Sequence, residues 1–223
     1  MAVYDHEEQE QLDTLKAWWR DHGNKVINVA LAAAIAAAAM TGWKWWQDRQ
    51  AGAAGALYAQ LQAAAEKHDA KGARDVAVAL AENYSGTAYA GMGALLAAKV
   101  QMEAGDAKNA KAQLAWVADK AADASLRDLA RLRLAGLLLD EKAYDEALQQ
   151  LSKEPDAGFT VRYAELKGDI YAAQGKTADA RTAYRAAIDK LDSKGGTPSP
   201  TAQREAMYRE LMQIKLDSVG GQA

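Results

Sequence analysis

Residues 26–43 contain no charged side chain, and Asn28 is the one strongly polar group among them. As a helix rising ~1.5 Å per residue, the stretch is about 27 Å long, close to the ~30 Å hydrocarbon core of a bilayer. Trp18 and Trp19 stand before it, and Trp43, Trp45 and Trp46 close it, so five of the six tryptophans lie at its two ends. Indole rings favour the headgroup level, where the ring is apolar and the N–H reaches water or lipid oxygen. The stretch 26–46 is therefore expected to be a single transmembrane helix in contact with the lipid bilayer. Two other readings compete. A cleaved signal peptide accounts for the small residues of the Ala-rich run. It does not account for Asp5, Glu7, Glu8, Glu10, Asp13 and Asp21, which stand where a signal peptide has a short basic segment. A buried soluble helix tolerates the alanines but leaves the two tryptophan belts unexplained.

Lys16, Arg20 and Lys25 precede the run, and Lys44 and Arg49 follow it. Basic residues near the ends of a span bias it towards a cytoplasmic N-terminus. Keeping a short tail inside and exporting a large domain is also the simplest insertion. The expectation is an N-terminal tail over 1–25 in the cytoplasm, the span over 26–46, a polar and Gly/Ala-containing junction over 47–55, and a domain outside the inner membrane. Leu12, Leu15, Trp18 and Trp19 share one helical face. They form either an interfacial helix or the first turns of the membrane helix.

Beyond the span, composition narrows the chemistry. The chain of 223 residues has a net charge of −3, so no global basic field points to nucleic acid. The absence of cysteine excludes disulfides, thiol catalysis and thiolate metal sites. Three prolines and an abundance of Ala, Leu, Glu, Gln, Lys and Arg predict an all-α chain. No catalytic, cofactor-binding or metal-binding set emerges. His6, His22 and His68 lack a second histidine at ligand spacing. Gly91-Met92-Gly93 lacks the lysine of a phosphate loop and reads as a close-packing site. Asp140-Glu141 and Asp145-Glu146 read as solvated loop carboxylates rather than metal ligands.

Helical periodicity resumes at Leu57, Leu61 and Ala64. A turn is expected over 68–72, then a helix around Val76, Leu80 and Tyr84, with a break at Ser85-Gly86-Thr87. Three helix pairs and a terminal helix follow, the last one after Gly195-Gly196-Thr197-Pro198-Ser199-Pro200. The clearest signal spans 161–194. Gly168, Tyr171, Gly175, Ala180, Tyr184 and Ala187 match the marker spacing of a tetratricopeptide helix–turn–helix unit. Gly168 and Ala180 are expected where the helices approach most closely, with Tyr171 between them. Gly175 is expected in the left-handed conformation that ends a helix, and Tyr184 and Ala187 on the face meeting the next repeat. Two weaker copies align Ala147, with Ala135, Leu138, Lys142 and Leu151, and Ala110, with Ala98, Gly105, Leu114 and Val117. The predicted fold is all-α: an N-terminal single transmembrane helix followed by a TPR-like α-solenoid of helical hairpins over 56–217, with a flexible end over 218–223. A non-repetitive helical bundle is the competing architecture.

The order of parts resembles a known family. An acidic N-terminus leads to Glu10-Gln11, Leu15-Lys16, Trp18-Trp19 and His22-Gly23-Asn24-Lys25. The span ends in Gly42-Trp43-Lys44-Trp45-Trp46-Gln47, and a helical-repeat domain follows. This resembles the YfgM family, the ancillary subunit of the SecYEG translocon of Gram-negative bacteria, best over 5–50 and more loosely over the repeats. The resemblance implies an inner-membrane protein with a cytoplasmic N-terminus and a periplasmic repeat domain. It also implies association with the translocon and with a PpiD-like membrane-anchored periplasmic chaperone, and no catalytic residues. The expected function is a non-enzymatic adaptor that holds these partners, and emerging polypeptide substrates, on its repeat surface. Repeat register places the concave lining on the first helix of each pair: Lys99, Met102 and Glu103, then Leu139 and Asp140, then Arg162, Glu165 and Asp169. The rival functions are a scaffold for envelope assembly unrelated to the translocon, a membrane-tethered enzyme, and a cytoplasmic domain.

Overall fold

The computed structural model describes residues 6–192 and 202–220, with side chains from 10 to 192 and from 203 to 220. Among the described residues every regular element is a helix. The expected break over 195–200, residues 1–5 and the last three residues lie outside them. The chain divides into two compact units, Met1–Gln50 and Ala51–Ala223.

The first unit holds most of α1 (His6–Glu66). The helix runs unbroken from the acidic tail through the apolar stretch, so the residues around Leu12 and Leu15 are its first turns and not a separate interfacial element. Ile27, Val29, Leu31, Ile35 and Met40 are all exposed, and no part of the apolar window of α1 is buried. Such a face is costly in water and satisfied in hydrocarbon. Thr41 Oγ1 donates to the Ala37 carbonyl at 2.8 Å, which meets its hydroxyl's need within the helix. Aromatic groups cluster at each end of the run. Trp18 stacks on His22 at 5.3 Å, Trp43 lies 5.2 Å from Trp46, and the Arg49 guanidinium sits 4.6 Å above Trp45. The 47–55 junction is also helical. Its alanines carry the helix past Gly52 and Gly55, each of which costs about 1 kcal/mol relative to Ala.

The second unit is a stack of hairpins. Residues 51–66 of α1 form the first helix of the first hairpin, and α2 (Ala70–Asn83) returns. The connecting turn is tighter than the expected 68–72. Asp69 caps α2 by accepting the Gly72 amide at 2.9 Å, which pulls Ala70, Lys71 and Gly72 into the helix. The next pairs are α3 (Ala88–Glu103) with α4 (Ala107–Lys120), α5 (Ala124–Asp140) with α6 (Tyr144–Gln150), and α7 (Thr160–Ala173) with α8 (Thr177–Asp192). The helix α9 (Ala202–Ser218) packs on α8. First helices of successive pairs also touch, α3 with α5 and α5 with α7, which defines a solenoid.

One stop signal recurs four times. His68, Gly105, Lys142 and Gly175 have φ of 53°, 78°, 63° and 72°. Each ends the first helix of its hairpin in the left-handed region, and the residue after each donates to a carbonyl five residues back. The bonds are Asp69 to Ala64, Asp106 to Gln101, Ala143 to Leu138 and Lys176 to Tyr171, all at 2.8–2.9 Å. Two of the four positions are glycine. At Lys142 and His68 the capping bonds hold a side-chain-bearing residue in the same conformation.

Three apolar clusters fill the stack. The first joins Ala54 and Leu61 to Ala77, Leu80, Ala90 and Ala97. The second, around Leu114, Val117, Leu134, Leu138 and Leu151, spans α3 to α7. The third joins Val161, Tyr184, Ile188, Met212 and Leu216. The anchoring Ala110, Ala147 and Ala180 are all fully buried. Gly91 and Gly93 act as close-packing sites, since a Cβ would stand 2.9 Å from Leu126 Cδ1 and 2.7 Å from Leu80 Cδ1 respectively. Tyr184 and Ala187 share a buried cluster with Met212 and Leu216 of α9, on the face expected to meet the next element, but the expected place of Tyr171 differs. Tyr184, not Tyr171, fills the hole over Gly168, because its hydroxyl donates to Asp169 Oδ1 at 2.8 Å on the facing helix. Tyr171 is only partly buried.

Candidate partner-binding groove

The first helices α3, α5 and α7 line one side of the stack, and two adjoining hollows open there. The larger, about 550 Å³, takes Lys99, Met102 and Glu103 from α3 and Leu139 and Asp140 from α5. The smaller, about 240 Å³, takes Arg162, Glu165 and Asp169 from α7. All eight residues predicted from repeat register therefore lie on one surface. The two hollows share Arg133, Gly136 and Leu166, which make them one two-part groove.

The floor is apolar: Ala98, Leu114, Leu137 and Leu166 join Met102 and Leu139 in the larger hollow. Its depth comes from Gly136, where a Cβ would meet nothing within 4 Å. Any larger residue at that point of α5 would begin to fill the space. The rim is charged with both signs. Lys99 Nζ lies 3.5 Å from Glu103 Oε1, an exposed pair one helical turn apart. Arg133 and Asp140 form no ion pair among the described residues, so one cation and one anion on the rim are open to a ligand.

The α7 end of the groove is already engaged by the chain itself. Lys215 Nζ of α9 lies 2.8 Å from Glu165 Oε1 and 2.8 Å from both carboxylate oxygens of Asp169. Tyr208 donates to Glu165 Oε2, and Arg162 Nη1 reaches the Tyr208 hydroxyl at 3.2 Å and Glu165 Oε2 at 3.1 Å. Burial alone disfavours the Lys215 ammonium. The hydrogen bonds to Asp169 and Glu165 outweigh it and raise its pKa above the ordinary value. Tyr208 is pushed up by burial and by its bond to Glu165, and Tyr184 by burial and by its bond to Asp169. Arg162, Glu165 and Asp169 thus close the groove against α9, while the five residues of the larger hollow stay free of other elements of this cluster.

A second polar network lies outside the groove. The buried Asp128 binds Arg131 Nη1 at 2.9 Å and the Asp156 amide at 2.8 Å, and its carbonyl accepts the Tyr163 hydroxyl at 3.0 Å. Burial, followed by the Asp128 charge, pushes the Tyr163 hydroxyl up to about 12. These bonds tie the loop between α6 and α7 to α5, a structural task. Arg133, Gly136, Leu137 and Leu166 also line the groove and do not follow from the repeat markers. The only available signal was Gly136 beside the repeat marker Ala135, a glycine with no turn to explain it. What the groove offers is shape, apolar area and unpaired rim charge, the properties of a surface that docks another chain.

Comparison with known proteins agrees with this architecture. A family model described as a tetratricopeptide repeat-like domain matches residues 16–221. A curated relative from Neisseria gonorrhoeae is 31% identical over 96% of this chain and 97% of its own length. One from Haemophilus influenzae is 29% identical over 83% of this chain and 90% of its own, and one from Escherichia coli is 24% identical over 98% and 99%. Each of the three is named an ancillary SecYEG translocon subunit. No solved structure matches the chain.

Proposed function

The chain belongs to the tetratricopeptide repeat-like family of ancillary SecYEG translocon subunits, and from that membership we propose that it is a non-enzymatic adaptor of the inner membrane. In this reading α1 anchors the chain beside the translocon with its N-terminus in the cytoplasm. The repeat domain then stands in the periplasm, where the two-part groove docks a PpiD-like chaperone or an emerging polypeptide. The observation that carries the reading is the groove: an apolar floor over Gly136 with an unpaired Arg133 and Asp140 on its rim. Such a surface suits a polypeptide that presents apolar side chains flanked by charge. The membrane side of the reading rests on the exposed apolar face of α1 and on the relatives' names. The chaperone partnership rests on the resemblance of residues 5–50.

Site-specific photocrosslinking tests it. A photoreactive residue replaces Met102 in the full-length chain in intact cells, with the exposed Lys120 of α4, which lines neither hollow, as the control. The expected products join Met102, and not Lys120, to a translocon subunit or to the membrane-anchored chaperone. Products with envelope-assembly proteins alone would overturn the adaptor reading in favour of an envelope scaffold. The orientation has its own check. Protease added to spheroplasts should degrade the repeat domain, and a protected domain would place it in the cytoplasm.

A further inference from the structure

The outward face of α9 is apolar. Met207, Leu211 and Ile214 are 67%, 43% and 60% exposed, and their spacing puts them on one stripe. The inner face of the same helix is fully used: Met212 and Leu216 are buried, and Tyr208 and Lys215 engage α7. A helix that caps a solenoid ordinarily turns a polar face outward. Here the exposed side is the kind that stacks. It is separate from the groove, which lies on α3, α5 and α7.

The charges beside the stripe select what covers it. Glu210 and Asp217 lie along one edge of the stripe, both exposed and neither paired with a cation among the described residues; the Asp217 carboxylate accepts the Gln213 side-chain amide at 3.0 Å, and the exposed Arg204, in line with Leu211 seven residues before it, is outnumbered by the two acids. An anionic lipid surface is repelled by that edge. A second copy packed antiparallel, with its stripe centred on this one, fares no better, since it brings the two Glu210 carboxylates to the same side of the axis and against each other. A helix of another polypeptide with an apolar stripe and lysine or arginine beside it meets both requirements at once.

We propose that the Met207–Leu211–Ile214 face of α9, edged by Glu210 and Asp217, is a second docking surface, and that it receives a basic amphipathic helix from a partner protein. The probe is a synthetic three-heptad helix with leucine on one face and lysine beside it. Its counterpart carries glutamate in place of lysine. Binding is read by fluorescence anisotropy on the full-length protein in phosphatidylcholine nanodiscs, against empty nanodiscs. The lysine helix should bind about tenfold or more tighter than the glutamate helix. The double variant Glu210→Lys with Asp217→Lys should invert that preference. Leu211→Asp should abolish binding of both, with helical content and thermal midpoint unchanged because the residue is exposed. Binding indifferent to Leu211→Asp, or a preference that survives the charge reversal, overturns the proposal. So does self-association of the wild type that Leu211→Asp removes, or recruitment of the face to phosphatidylglycerol vesicles in place of the peptide. The groove reading stands or falls separately, since none of these substitutions touches it.

Discussion

Two glycines of the repeat domain should respond in opposite directions to the same substitution. At Gly168 an added Cβ would overlap the ring of Tyr184, with Cζ at 2.9 Å and the nearer ring carbons closer still. The ring cannot swing aside freely, because its hydroxyl is held by Asp169 at 2.8 Å. Gly168→Ala gains about 1 kcal/mol of helix propensity. Against this stand about 1–3 kcal/mol of overpacking and about 1.5 kcal/mol for a displaced hydrogen bond to a charged acceptor. The net is a loss of about 2 kcal/mol, equivalent to roughly 4–8 °C in the midpoint of a domain this size. At Gly136 a Cβ meets nothing within 4 Å, so Gly136→Ala keeps the propensity gain and should stabilise by about 0.5–1 kcal/mol. Urea unfolding of the full-length chain in mild detergent, followed by far-ultraviolet circular dichroism, measures both. On a Tyr184→Phe background the Gly168→Ala loss should shrink by about the hydrogen-bond share. A Gly168→Ala protein as stable as wild type, or two variants shifting in the same direction, would refute the packing argument.

Two further outcomes follow from the polar clusters. Tyr163, Tyr184, Tyr208 and Lys215 all have folded pKa values above their ordinary ones. Their stabilisation is complete below pH ~10 and is lost as pH rises through the folded values. Unfolding free energy should therefore fall from about pH 10 upward, and Tyr163→Phe should flatten the part of the fall that ends near 12. Lys215→Ala leaves Glu165, whose side chain is 9% exposed, with fewer cationic partners. A loss of about 2 kcal/mol is expected, at the discounted end for a partly buried pair. A denaturation midpoint unchanged from wild type would show that the Lys215 ion pairs contribute nothing to holding α9.

The parts of this fold that were legible in the sequence are those fixed by local chemistry. Gly105 and Gly175 announced two helix ends because a left-handed residue is cheapest as glycine. Lys142 was found only by alignment with them. His68, the fourth such residue, was legible only as the start of a turn and not as a left-handed stop, since its conformation is imposed by capping bonds. Groove residues such as Met102 and Leu139 followed from register, which fixes which face a residue occupies. Arg133 and Leu166 did not, because the groove's depth depends on the void over Gly136, a property of three helices together. The roles of Tyr171 and Tyr184 were read from marker positions, and the Asp169 carboxylate decided between them. The engagement of Glu165 by Tyr208 and Lys215 joins residues more than forty positions apart across 193–201, and no local pattern reports it.

The hairpins touch chiefly their immediate neighbours in the chain, and each of the three apolar clusters is assembled from consecutive helices. Chain order and packing order therefore run in the same direction, and each hairpin finds most of its contacts on the hairpin that precedes it. Among the described residues, α9 alone follows the hairpins, and it is the element that shuts the seam over α7 and α8.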